Sequence, residues 1–221
     1  MDRTLVSGYV PLRRDSHSIQ RKNGENMMKE MTDSEIVESF REAGALLTGH
    51  FQLRSKKHSN RFFQAALVFR NPKLGERLCE TLAARIGGST GAETVISPAV
   101  GGLLVGQEIA RAMGLNAIFA DKENDQLVLK RGFSIRKGEK IIVAEDVVTE
   151  GGRVQQTIDL VKKLGGIPVA VAVITDRSGG KVKFGDIPFY SLLKLDLPTW
   201  TAEECPMCKE GQAIDVPGSK S

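Results

Sequence analysis

The 221-residue sequence contains no long apolar run. Uncharged stretches such as 164–175 are far shorter than the roughly 20 apolar residues that a membrane-spanning helix requires. Hydrophobic residues make up 41% of the chain and charged residues 26%, as in ordinary globular proteins. We therefore expect a folded domain, long enough for one α/β unit, with no membrane partner.

Cysteine is also scarce, with three residues in the whole chain. This number is too small for the disulfide framework of a secreted domain, so a reducing cytoplasm is the expected location. Cys205 and Cys208 form a single C-x-x-C. A structural zinc ion would need two more ligands, and His17, His50 and His58 are remote in sequence, so we expect no protein-bound metal there.

Two common nucleotide motifs are missing. Neither the ATP-binding pattern G-x-x-x-x-G-K-[ST] nor the dinucleotide pattern G-x-G-x-x-G occurs, which disfavours ATP and NAD as ligands. The formal net charge is +4, and residues 1–30 carry +2 of it, from six basic and four acidic residues. No basic stripe is left to follow a phosphate backbone, so no nucleic-acid partner is expected.

The hydrophobic pattern predicts an α/β fold with four sections. Short apolar strands alternate with amphipathic helices from residue 93 onward, which is typical of a mainly parallel sheet flanked by helices. Thr32 and Glu35 have capping-box spacing and predict a first helix over 33–47. The predicted sections are a flexible extension (1–30), an N-terminal helix with hood strands (31–70), an α/β core (71–200) and a C-terminal tail (201–221).

Four polar or glycine-rich segments follow the predicted strands, at 97–102, 121–126, 145–153 and 176–180. In parallel sheets ligands bind at the carboxyl ends of the strands. The segment "IIVAEDVVTEGGRV" is the most informative, because a buried strand ends in two adjacent acids, Glu145 and Asp146, before a Thr/Gly turn. The glycine turn and the following helix N-terminus suit a phosphate.

The two acids need a different ligand group from the phosphate, which they would repel. Sugar hydroxyls can donate to carboxylates, and carboxylates would stabilise a sugar carbon that becomes cationic. We therefore predict that a ribose 5-phosphate lies across residues 145–153. The alternative, that the acids cap a helix and the glycines serve packing, remains open for such short motifs.

The same segment resembles the 5-phosphoribosyl 1-diphosphate (PRPP) signature of the type I phosphoribosyltransferases. Four more segments extend the resemblance: "HFQLRSKKHSNRFFQAAL", "VISPAVGGLLVGQEIAR", "LVLKRGFSIRKGEKIIVAEDVVTEGGR" and "ITDRSGG". Together they are similar to the orotate phosphoribosyltransferases, in the shorter-loop bacterial branch, over roughly residues 33–211. The resemblance implies the type I fold with a small N-terminal hood, and transfer of ribose 5-phosphate from PRPP to orotate in pyrimidine (UMP) biosynthesis.

The resemblance also implies site residues. PRPP would be bound by Glu145, Asp146, Val147, Val148, Thr149, Glu150, Gly151, Gly152 and Arg153, together with Lys122, Arg54, Val100 and Gly101. Orotate would be bound by Thr149, Arg177, Phe62 and Phe63, with Arg177 meeting the carboxylate. Since neighbouring strand residues face opposite sides, at most one of the two phenylalanines should stack on the base.

Catalysis would involve Glu145, Asp146, Lys122 and Arg131. Many relatives have a Lys where this chain has Gly101. Lys122 matches one basic position of the catalytic loop, but the catalytic Lys of relatives aligns with Asp125, so Lys130 or Arg131 would have to substitute for it. The implied cofactor is Mg²⁺, bound mainly through PRPP and pyrophosphate. The implied assembly is a homodimer whose mobile loop reaches the neighbouring site.

Two other functions compete with this one. A purine phosphoribosyltransferase would share the PRPP site but would not need Arg177. A PRPP-sensing regulator would keep the fold without catalysis, and the replaced loop Lys keeps it open. Such a regulator normally adds a nucleic-acid-binding module, for which the extension is too short.

Overall fold

The structure is a computed structural model that describes residues 30–53, 55–195 and 197–217. Two predictions fall on the rest of the chain. The flexible extension, apart from Glu30, and the PRPP contact of Arg54 lie outside the described residues. No helix in the described ranges is long and apolar enough to cross a membrane.

The N-terminal section is a helix followed by a β-hairpin. Helix α1 (Asp33–Glu42) begins with the predicted capping box, in which Thr32 and Glu35 bond to each other's backbone N–H groups. The helix ends five residues earlier than predicted. Strand β1 (Leu46–Gln52) starts instead and pairs antiparallel with β2 (His58–Phe63). We call this hairpin the hood, as predicted for residues between 31 and 70.

The central sheet has six strands in the order β5-β4-β3-β6-β7-β8, all parallel to their neighbours except β5. These strands are β3 (Thr94–Pro98), β4 (Asn116–Glu123), β5 (Gln126–Leu129), β6 (Lys140–Val148), β7 (Ile167–Asp176) and β8 (Phe189–Lys194). The remaining helices are α2 (Pro72–Ile86), α3 (Leu103–Met113), α4 (Gly152–Lys163) and α5 (Pro206–Lys209), with 3₁₀ turns at Ala65–Arg70 and Gly88–Thr90.

Each face of the sheet is covered by its own apolar cluster, which explains the continuous apolar runs of β3, β6 and β7. Helices α1, α2 and α3 supply one cluster, around Phe40, Leu82 and Ile109. Helix α4 supplies the other, through Val154 and Ile158. The predicted fold, a mainly parallel sheet flanked by helices with a small hood, is confirmed.

Two local features differ from the sequence prediction. Strand β8 was not predicted, and it extends the sheet beside β7. The segment expected to form a mobile catalytic loop contains a tight hairpin, because β4 and β5 are joined through Asn124 and Asp125 alone. Both residues have positive φ, at 48° and 62°, as two-residue hairpin turns of this kind require.

Candidate active site

The acid pair lies near the carboxyl end of β6, in the middle of the sheet. Glu145 is 4% exposed and Asp146 is half-buried. Glu145 Oε1 accepts a hydrogen bond from the backbone N–H of Asp146 at 3.1 Å. Asp146 Oδ1 accepts one from the N–H of Val147 at 2.7 Å. These bonds fix both carboxylates at the edge of the sheet where ligands bind.

The loop between β3 and α3 lies directly against these acids. A Cβ atom at Gly101 would be 2.9 Å from Asp146 Oδ2, and one at Gly102 would be 2.9 Å from Glu145 Oε1. Real Cβ atoms essentially never come so close, so glycine at both positions lets the loop backbone approach the acids. The Ala99–Val100 peptide bond in this loop is cis.

The turn after β6 forms a cavity of ≈ 260 Å³ lined by residues 147–154. Gly151 has φ +80°, in the left-handed region that glycine tolerates. No side chain caps the N-terminus of α4, so its first N–H groups and the positive end of the helix dipole are available to an anion. Arg153 donates to the carbonyl oxygen of Ala99 at 3.2 Å, which ties this turn to the glycine loop.

Arg177 follows β7, the next strand in the sheet. Its backbone N–H donates to the carbonyl of Val148 at 2.7 Å, so it lies beside the turn. Its Nε is buried without a hydrogen-bond partner, and no ion pair to it occurs within the described ranges. Burial lowers the pKa of the guanidinium. A half-buried guanidinium whose Nε–H has no partner is suited to a carboxylate ligand.

The two acids are electrostatically different. Burial, and then repulsion by Asp146, raise the pKa of Glu145 from 4.5 to about 8. Two carboxylates this close do not both ionise readily. Near neutral pH the free protein therefore holds a proton on Glu145.

We expect Glu145→Gln to become more stable than the wild type as pH rises. The folded pKa lies above the unfolded one, so wild-type stability from this group is full below about pH 4.5 and is lost as pH rises through about 8. Glutamine mimics the protonated acid and does not titrate. The difference in free energy of unfolding should grow by on the order of 5 kcal/mol across this window, at about 1.4 kcal/mol per pH unit.

Urea unfolding of both proteins at several pH values between about 4.5 and 9 measures this difference. Titrations elsewhere in the chain cancel when the two proteins are compared at each pH. A constant difference across the window would contradict the raised pKa.

Comparison with known proteins decides the family. The model of the phosphoribosyl transferase domain matches residues 69–205. The orotate phosphoribosyltransferase of Carboxydothermus hydrogenoformans is 48% identical over 187 residues, covering 84% of this chain and 97% of that protein. Its counterpart from Thermotoga maritima is 46% identical over 185 residues, covering 84% and 98%.

The chain belongs to the orotate phosphoribosyltransferase family. Among solved structures, the orotate phosphoribosyltransferase of Aeropyrum pernix matches with a TM-score of 0.62 at 20% identity, covering 72% of this chain and 93% of that one. At this level of identity the match supports the fold alone. The relatives and the matched domain agree with the resemblance of the sequence segments.

The other residues predicted to bind PRPP differ in how far their side chains are exposed. Val147 and Val148 pack their side chains into the two apolar clusters, so only their backbone can face a ligand. Thr149, Glu150 and Gly152 are exposed on the turn. Val100 is 80% exposed beside Gly101. The structure thus places the predicted PRPP residues of 145–153 and 100–101 around one volume.

The two basic residues predicted for catalysis lie on the far side of β3 from the acids. Lys122 is near the tip of the β4–β5 hairpin, beyond the point where β3 ends, and pairs with Asp125 at 2.6 Å. Arg131 pairs with Asp121 at 3.3 Å and lies over the ring of Phe119. Both are held by neighbouring acids in the free protein, and their catalytic roles stay predictions.

The orotate prediction for Phe63 is corrected by the structure. Phe63 is 4% exposed and packs against Phe40, with 5.4 Å between ring centroids, inside the larger apolar cluster. Phe62 points to the other side of the hairpin, where it is half-buried beside Phe51. Strand alternation explains the split, and it leaves Phe62 as the candidate for contact with a base.

Sequence reasoning missed one supporting residue. Asp176 is buried and accepts hydrogen bonds from the backbone N–H and the hydroxyl of Ser178, at 2.8 and 2.6 Å. These bonds shape the turn that presents Arg177. The D-x-S spacing is the usual signal for such an Asx turn, and it was available in "TDRSGG".

Proposed function

We propose that the protein transfers ribose 5-phosphate from PRPP to orotate, giving orotidine 5′-phosphate and pyrophosphate. The observation that carries this proposal is the approach of Gly101 and Gly102 to the acid pair, next to the uncapped N-terminus of α4. One small volume thereby offers sites for a 5-phosphate, a ribose and a pyrophosphate. Arg177 adds a cation for a base that carries a carboxylate.

The residues suggest how the reaction proceeds. The turn 149–153 would hold the 5-phosphate through backbone N–H groups, and the loop 99–102 would hold the pyrophosphate. The electron pair of the breaking C1–O bond leaves with pyrophosphate, while an orotate nitrogen supplies the pair for the new C–N bond and loses its proton to pyrophosphate or to water. Positive charge that develops on the ribose would be stabilised by Asp146.

The donor set also fits Mg²⁺, which prefers carboxylate and phosphate oxygens. The half-buried carboxylate of Asp146 borders the loop proposed for pyrophosphate. The ion would be held mainly by oxygens of PRPP, and the carboxylate of Asp146 could supply a protein oxygen. When bound, Mg²⁺ neutralises charge on the pyrophosphate leaving group.

We further propose a homodimer in which the β4–β5 hairpin takes the place of the mobile loop that the resemblance implies. Val100 and Leu104 are 80% and 55% exposed beside the site, and exposed apolar side chains at one place suit a protein contact. Light scattering of the purified chain tests the assembly. The cytoplasmic location remains a prediction.

The direct test of function follows the ultraviolet absorbance of orotate with PRPP and Mg²⁺ present. Parallel reactions offer adenine, hypoxanthine and uracil. Of the four bases, we expect turnover only with orotate, because it alone carries a carboxylate that Arg177 can bind. Turnover of a purine would favour the purine transferase, and PRPP binding without any turnover would favour the regulator.

A further inference from the structure

Four side chains that could bind a metal meet away from the proposed active site. His50 is on β1 and His58 is on β2. Cys205 is the N-cap of α5, and Cys208 lies within that helix. One ligand atom from each residue lies within 4.8 Å of all the others. The expectation that the histidines are too remote in sequence to join the cysteines is therefore wrong.

Four of the six distances between the ligand atoms, 3.0–3.6 Å, are close to the edges of a metal-centred tetrahedron, and the other two are within 4.8 Å. His50 Nε2 is 3.0 Å from His58 Nδ1, and Cys208 Sγ is 3.2 Å from His58 Nδ1. Cys205 Sγ and Cys208 Sγ are 3.5 and 3.6 Å from His50 Nε2. With Zn–N bonds of about 2.0 Å and Zn–S bonds of about 2.3 Å, a tetrahedral site has edges of roughly 3.3–3.8 Å.

Hydrogen bonding alone does not account for this arrangement. His50 Nδ1 lies 2.9 Å from the carbonyl oxygen of Gln212, which can only accept, so Nδ1 carries the proton. His50 Nε2 then has one lone pair. Three groups crowd around it, His58 Nδ1 and both sulfur atoms, whereas one lone pair can satisfy a single donor well. A cation at the centre would satisfy all four groups at once.

The surroundings are those of a closed structural site. His50 and His58 are 4% and 2% exposed and Cys205 is fully buried, and all three cysteines of the chain are free thiols. The bond from His50 to a backbone carbonyl is the usual way in which a metal-binding histidine is oriented. Because four protein ligands leave no open position, the site would be structural rather than catalytic.

We propose that His50, His58, Cys205 and Cys208 bind one structural zinc ion. Two thiolates and two imidazoles in a tetrahedral set favour zinc among the common divalent metals. Binding would convert both thiols to thiolates and release two protons. No step of the proposed transferase reaction uses the ion, so the zinc proposal stands independently of that function.

The zinc would fasten the hood to the C-terminal segment. These parts already share backbone hydrogen bonds between His58 and Trp200, at 2.8 and 2.9 Å, and between Asp215 and the β1 residues His50 and Gln52, at 2.8 and 2.9 Å. A metal cross-link would secure this contact over a sequence separation of about 150 residues. It would also fix the strand that carries Phe62.

The first test is the metal content of the full chain, purified reduced and with no affinity tag. Inductively coupled plasma mass spectrometry should find about one zinc ion per chain. Cys208→Ala and His58→Ala should lower that value to below about a tenth. Cys79→Ala is the matched control, because Cys79 is a buried thiol on α2 outside the cluster, and it should keep the full zinc content.

A second measurement decides the question if those variants do not fold. Wild-type protein stripped with a chelator under reducing conditions and reloaded with Co²⁺ should show thiolate-to-cobalt charge-transfer absorption. Zinc should raise the melting temperature of the stripped protein by roughly 5–10 °C, and Mg²⁺ should not. A wild-type chain that neither contains nor takes up zinc, or that holds a Cys205–Cys208 disulfide, would overturn the proposal.

Discussion

Asp146→Asn is expected to lower kcat for orotidine 5′-phosphate formation by roughly 10²–10³-fold. The substitution keeps the shape of the side chain and its contact with the loop at Gly101. It removes the negative charge that would face the ribose as positive charge develops there. The KM for PRPP should change much less, because the ground-state sugar carries little positive charge.

The matched control is Asp159→Asn, which makes the same change on an exposed part of α4. Asp159 contacts Gln155 there, away from the cavity, and its substitution should leave kcat unchanged. Circular dichroism and melting temperature should confirm that both variants fold. A decrease in kcat of less than about tenfold for Asp146→Asn would count against charge stabilisation by this residue.

The site was largely predictable because its central part is continuous in sequence. Strand β6, the acids, the glycine turn and the start of α4 lie within residues 140–153, so strand alternation and turn chemistry are visible without tertiary information. The end of β7 could be added, because parallel strands bring their carboxyl ends to one edge. The topology placed the segment 176–180 at this edge, and the resemblance to the family then indicated Arg177.

Features that depend on distant contacts were not predictable. Helix α1 was extended to residue 47 because Leu47 fits a helical period, but Leu46 and Leu47 pair with Phe63 and Phe62 in the hood. Likewise, no pattern in one strand shows that Phe63 faces Phe40. In both cases tertiary packing, rather than the local sequence pattern, decided the structure.

The four candidate zinc ligands depend on distant contacts more than any other feature does. His50 and His58 are eight residues apart in sequence, at the two ends of a hairpin connection, and the cysteines follow about 150 residues later. The C-x-x-C spacing was visible, but its partners depend on the backbone pairing of β1 and β2 with the C-terminal segment. Counting ligands along the sequence therefore did not show that these four side chains meet.

Arg177→Met is expected to have opposite effects on activity and on stability. It should lower kcat/KM for orotate by roughly 10²–10³-fold, because a partly buried carboxylate would lose its charged partner. It should also raise the free energy of unfolding by about 1 kcal/mol, since the free protein no longer buries the unpaired Nε–H of Arg177. Methionine retains much of the apolar stem of arginine.

Substrate dependence separates this role from a general loss of structure. The dissociation constant for PRPP should stay within about threefold of wild type, while the KM for orotate rises. Arg177→Lys keeps the charge but loses the two-pronged geometry, so it should fall between wild type and Arg177→Met. Arg41→Met, at an exposed arginine paired with Glu38, is the control and should change neither quantity appreciably.

Stability and activity together distinguish two roles for Arg177. A residue that only supports the fold would lower both stability and turnover when replaced, whereas a cation held ready for a ligand destabilises the empty protein. Stable protein with poor use of orotate is therefore the expected result. Loss of stability in Arg177→Met, or an unchanged KM for orotate, would show that Arg177 serves the turn after β7 rather than the base.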